Sequence, residues 1–137
     1  MESTVLIVDD TEDMRMIHSA FLQRMGYRVL EARDGSEAVR LANEMRPDAI
    51  LMDLALPVLD GWGAIEALHG DPDTAGIPII VLSSENDPTC RERAHAAGCA
   101  AFLSKPCGAK KLAASMARVV GGSGQHVDPE ELLPGGP

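Results

Sequence analysis

Continuous apolar runs alternate along this chain with stretches in which apolar residues recur every three or four positions. The runs "TVLIVD", "AILMD" and "IPIIVLS" lack the apolar–polar alternation of half-exposed strands, so they read as strands buried on both faces. Weaker runs at "YRVLEA" and "AAFLSK" bring the strands to five. Between them Met14, Ile17 and Phe21 mark one helical face, and Ala38, Leu41, Ala42 and Met45 mark another at i, i+3, i+4, i+7 spacing. Asp34 is placed to cap that second helix with Glu37 three positions on, and "MRPD" stops it before Pro47. Asp87-Pro88 opens a later helix ending near Gly98. That helix is the least apolar of the set: Ala94 and Ala97 supply its inward face, with Arg91, Glu92, Arg93 and His95 around them, so weak packing marks it as an element able to move. A final helix from about Ala109 to Val120 puts Leu112, Met116, Val119 and Val120 on one side.

Five strands alternating with five helices predict an α/β fold: a doubly wound five-stranded parallel sheet with helices on both faces, built from five βα units. Residues 1–121 form the expected domain, and "GSGQHVDPEELLPGGP" over 122–137 reads as a flexible Gly/Pro-rich tail. In such sheets ligands gather at the carboxyl ends of the strands.

Composition narrows the partners. The chain is 45% hydrophobic but only 3% aromatic, so its core is aliphatic and it lacks a platform for stacking bases. A formal charge of -9 repels phosphate backbones and anionic lipid, which argues against a nucleic-acid or membrane partner. Cys90, Cys99 and Cys107 are odd in number and form no C-x-x-C pair, and no signal peptide or membrane-length apolar run is evident. A reducing, cytoplasmic setting is expected, with the cysteines as packing residues.

The strand ends carry the candidate chemistry. Asp9 and Asp10 end the first strand, Asp53 the third, Ser83 the fourth and Lys105 the fifth, so all five project toward one edge of the sheet. Carboxylates about 5 Å apart repel by roughly 3 kcal/mol per pair at an effective dielectric near 20, a penalty that calls for positive charge. Lys105 supplies one charge. A hard divalent cation bound by oxygen would supply the rest, and Mg2+ suits a site with few protein ligands and room for water. Metal, lysine and hydroxyl around a carboxylate are suited to phosphoryl transfer, with Asp53 as nucleophile. A plainer reading makes Asp10 or Thr11 a helix cap helped by Glu12 and Asp13. One acid could cap; two together with Asp53 favour a metal. Asp60-Gly61 reads as a turn in which Gly permits positive φ. His18, His69, His95 and His126 share no cluster and read as surface or helix-face residues.

Taken together, "LIVDD", "ILMDLALPVLDG", "VLSS" and "FLSKP" resemble the motifs of the CheY-like receiver domains of two-component response regulators, over about Thr4 to Val120. The resemblance implies a flavodoxin-like fold in which Asp53 is phosphorylated as an acyl phosphate. It also implies that Asp10, Asp53 and the carbonyl of Ala55 ligate Mg2+ directly, and that Asp9 helps through water. Ser83 and Lys105 would contact phosphoryl oxygens, and Pro106 would follow a cis bond. Ser83 and Phe102 would form the switch; Phe in place of the frequent Tyr leaves burial alone to favour the inward state. Ala55 and Glu85 fall where the family varies and tunes phosphoryl lifetime.

The expected function is that of a single-domain response regulator, phosphorylated by a sensor histidine kinase or a histidine phosphotransfer protein. It would signal to a protein target through the face made by the fourth helix, fifth strand and fifth helix, and a homodimer is a further expected assembly. It is not expected to be an enzyme beyond self-phosphorylation from small donors and autodephosphorylation. The alternatives are a receiver-like scaffold working without phosphorylation and a catalytic aspartyl phosphatase. The latter needs a second acid two positions after Asp53, where this chain has Ala55.

Overall fold

The computed structural model describes residues 3–54, 61–83, 88–105 and 107–121. The chain runs β1 (Thr4–Val8), α1 (Glu12–Arg24), β2 (Arg28–Ala32), α2 (Gly35–Met45), β3 (Ala49–Asp53), α3 (Gly61–Gly70), β4 (Ile79–Ser83), α4 (Pro88–Ala96), β5 (Ala101–Ser104) and α5 (Ala109–Gly121). All strands pair in parallel in the order β2-β1-β3-β4-β5. The expected sheet is therefore present, and the reason lies in the apolar runs: side chains alternate across a strand, so a continuous run feeds two cores at once. Leu6, Val8, Ile50, Met52, Ile79 and Val81 pack with residues of α2, α3 and α4 on one face. Val5, Ile7, Leu51, Ile80 and Leu82 pack with Leu22 of α1 and with Leu112 and Met116 of α5 on the other.

Strand order reverses between β1 and β3, the neighbours from which the chain winds outward in opposite directions. The crevice of a doubly wound sheet opens at such a point. Asp9 follows the first of these strands and Asp53 ends the second.

Local signals account for several boundaries. Asp34 caps α2 by accepting from the Glu37 amide at 2.8 Å, while the Glu37 carboxylate accepts from the Arg33 amide at 2.8 Å. Arg46 takes a left-handed φ of 46° at the end of α2, immediately before Pro47.

Other faces differ from those the spacing predicts. In α1 the buried residues are Arg15, His18, Ser19 and Leu22, whereas Met14 and Phe21 are half-buried and Ile17 is 59% exposed. Apolar spacing misplaced this face because polar residues turn inward, Arg15 with partners at Asp9 and on β2. Met45, at the end of α2, is 49% exposed while Ala38 and Ala42 are buried. On α4, Cys90 joins Ala94 as a buried residue, and Ala97 lies beyond the helix, partly buried. Gly61 does not take a positive φ. Its need for glycine is instead close approach: a Cβ there would overlap Leu54 Cα and stand 2.8 Å from the carbonyl oxygen of Asp53. Asp60 and Asp87 lie outside the described residues.

Candidate functional site

Backbone bonds fix the start of the site before any side chain acts. The Asp9 amide donates to Ala32 O at 3.1 Å, so pairing with β2 continues one residue past β1. The Asp9 carbonyl accepts from Arg15 Nη1 at 2.8 Å, and Asp9 Oδ1 accepts from the Thr11 amide at 2.8 Å. Thr11 occupies the N-cap position of α1, but its own side chain makes no capping bond. With its main chain and one oxygen held, Asp9 is only 2% exposed, and its Oδ2 is buried without a hydrogen-bond partner among the described residues.

Asp53, 4% exposed at the end of β3, accepts from Lys105 Nζ at 2.9 Å through Oδ2. Asp10 stands at the solvent edge. One carboxylate oxygen from each of Asp9, Asp10 and Asp53 lies within 4.8 Å of the others. Burial pushes the Asp9 carboxyl above the usual carboxylate range; the Thr11 amide opposes that rise, Asp53 and Asp10 add to it, and Lys105 lowers it.

Lys105 is held from behind, since its amide donates to Ser83 O at 2.8 Å and ties the end of β5 to β4. Ser83 is 4% exposed and lies one residue beyond Leu82, the register partner of Asp53. The acids, the hydroxyl residue and the ammonium thus come from neighbouring strand ends. Phe102 on β5 is partly buried against the α2–α4 core, with the Arg91 guanidinium 4.9 Å from its ring centroid. Arg91 Nη2 also donates to Ser104 Oγ at 3.3 Å, joining α4 to β5 twice.

The donor set fits a hard divalent cation. Three carboxylates offer oxygen, one of them carries a buried oxygen with no partner among the described residues, and the exposed Asp10 side admits water. Neither His nor Cys belongs to the group, which disfavours zinc. The expected carbonyl ligand Ala55, together with Glu85 and the expected cis residue Pro106, lies outside the described residues.

Two residues near the site were not legible as such. His18 is 6% exposed, not a surface residue, and its Nδ1 has no hydrogen-bond partner among the described residues. Burial lowers its pKa, with Asp9 and Asp53 pulling upward and Lys105 downward, so its ring lies within electrostatic reach of the acids. Arg15 is 8% exposed, and besides Asp9 it bonds Glu31 Oε1 on β2 at 3.0 Å. Charged residues at these helical positions ordinarily predict a solvated face.

The sequence model of the response regulator receiver domain matches residues 5–117. Protein PilH of Pseudomonas aeruginosa is 32% identical over 118 residues, which cover 86% of this chain and 98% of PilH. Among solved structures, chemotaxis protein CheY4 of Vibrio cholerae superposes with a TM-score of 0.82 at 33% identity, covering 87% of this chain and 99% of that one. The receiver domain of sensor histidine kinase PA1611 from Pseudomonas aeruginosa, which holds a magnesium ion in its active-site cleft, gives a TM-score of 0.81 at 36% identity. That match covers 88% of this chain and 99% of the other.

Proposed function

The chain belongs to the receiver domains of two-component response regulators, and from that membership we propose that it is a Mg2+-dependent phosphoacceptor modified on Asp53. The observation that carries this reading is the meeting of three acids from the ends of β1 and β3, within 4.8 Å, against the single ammonium of Lys105.

In this reading Asp9, Asp10 and Asp53 hold the cation, Asp9 through water, with the Ala55 carbonyl as a further ligand. Bound Mg2+ would neutralise charge on the transferring phosphoryl oxygens. The Asp53 carboxylate attacks phosphorus, the bond to the donor breaks, and its electron pair leaves with the donor group. The donor is a sensor histidine kinase or a histidine phosphotransfer protein, in which that group is an imidazole nitrogen. Lys105, already 2.9 Å from Asp53 Oδ2, holds the nucleophile in place and then pairs with a phosphoryl oxygen. The Ser83 hydroxyl donates to another.

Hydrogen bonds to charged groups contribute roughly 1.5–3 kcal/mol each, so these two approach the ~5.5 kcal/mol that inverts a 1:99 population. The shift would be read by a protein target on the α4-β5-α5 face, where Phe102 and Arg91 connect the helix to the strand. A homodimer is a second readout. The chemistry is stoichiometric, with no turnover beyond autodephosphorylation, and three cysteines with no C-x-x-C pair suit a reducing cytoplasmic setting. Among the described residues no helix is long and apolar enough to cross a membrane.

Incubation with phosphoramidate and Mg2+ should add one phosphoryl group per chain by intact mass, and Asp53→Ala should abolish the addition. Undiminished labelling of that variant would refute the assignment.

A further inference from the structure

We propose that Arg15 is a positioning residue for the cation site, clamping the β1–α1 turn to the edge strand so that the Asp9 and Asp10 carboxylates meet Asp53. The inference rests on the phosphoacceptor reading and extends it to a side chain outside the motifs. Three observations support it.

First, Arg15 is 8% exposed on α1, a burial that arginine rarely accepts without fixed partners. Second, its two bonds run in different directions. Nη1 donates to the Asp9 carbonyl at 2.8 Å in a buried setting, and Nε donates to Glu31 Oε1 at 3.0 Å. Glu31 lies on β2, the edge of the sheet next to β1, so the planar guanidinium spans from the outermost strand to the residue that begins the site. Third, the Asp9 side chain is turned by its own short-range bond, Oδ1 to the Thr11 amide at 2.8 Å. The peptide between Asp9 and Asp10 therefore sets where both carboxylates point, and its carbonyl is the atom Arg15 grips. The grip is on the main chain rather than on a carboxylate oxygen, so its influence is geometric.

The sign of a binding change separates this role from simple charge. Removing a cation near a cation site should tighten Mg2+ if charge dominates, whereas releasing the turn should weaken it. Supports behind metal ligands typically change affinity by about 10- to 100-fold. Calorimetric Mg2+ titration of the full chain is therefore expected to show weakening of that order in Arg15→Ala. Phosphoramidate labelling at saturating Mg2+ should stay within about threefold of the parent, because excess metal refills a loosened site.

Glu31→Ala removes only the partly exposed anchor and should weaken Mg2+ by about three- to tenfold, which keeps the test available if Arg15→Ala does not fold. Arg24→Ala, a matched charge loss on the exposed end of the same helix, should change neither quantity. Unchanged or tighter Mg2+ binding in both Arg15→Ala and Glu31→Ala, beside normal binding by the parent, would overturn the inference alone. Labelling that does not recover at saturating Mg2+ would also overturn it, in favour of general damage. A parent chain that neither binds Mg2+ nor labels would overturn the phosphoacceptor reading, and the inference with it.

Discussion

Asp9 shows the conflict between stability and site most directly. A carboxylate 2% exposed, with one oxygen unpartnered among the described residues and two further acids nearby, destabilises the metal-free fold. Asp9→Asn should therefore raise the thermal midpoint without metal and lose the rise expected of the parent on adding Mg2+. At ten times its Kd a ligand contributes about 1.4 kcal/mol, a shift of roughly 5 °C for a domain of this size; thermal scans with and without Mg2+ check both outcomes. His18 offers a separate pH signature. Its pKa lies below the ordinary 6.5, chiefly through burial, so the unfolded chain takes up a proton before the folded one does. The stability owed to its neutral form is complete above pH ~6.5 and drains as pH falls through that value toward the lower folded pKa. In denaturant titrations His18→Leu should decline less between about pH 7 and 5 than the parent. Apolar spacing could reveal neither Arg15 nor His18, because their inward orientation depends on groups brought to α1 from β2 and the site.

At the scale of elements, strands were legible and some helical faces were not. A strand buried on both sides is apolar through its length up to the functional residue at its end, so "VLIV" and "IIVL" declare themselves. A helix needs only one stripe, and α1 builds part of its stripe from polar residues while Met16 and Ile17 face solvent at 57% and 59%. The cap of α2 was readable because Asp34 and Glu37 act through bonds three residues apart. Gly61 misled because a clash with β3 is invisible before the fold is known. The weak packing expected of α4 agrees with its burial: only Cys90 and Ala94 are buried, and Arg91 and Arg93 fasten it through Phe102 and Trp62. Amide exchange should accordingly be faster in α4 than in α5. Arg91→Ala should speed α4 exchange by about two- to fivefold, the scale of an exposed cation–π contact, and leave β1 and β3 unchanged.

Across the whole molecule, the sheet order explains why carboxylates 44 positions apart meet at the proposed cation site. Asp9 and Asp53 are distant in sequence but flank the reversal point of order β2-β1-β3-β4-β5, and Lys105 arrives from the far strand through its bond to Ser83 O. The order of the acidic, hydroxyl and lysine motifs was legible because each follows an apolar run; the distances between them required the register. The most direct measurement is chemical mapping of the modified carboxylate. After phosphoramidate treatment, one hydride from borohydride displaces phosphate from the acyl carbon of an aspartyl phosphate to give the aldehyde, a second hydride reduces that aldehyde to the alcohol, and peptide sequencing locates the resulting homoserine. Homoserine at position 53 alone, formed with Mg2+ and absent with chelator, is the predicted result. Homoserine elsewhere, or formation at position 53 that ignores the chelator, would contradict the account.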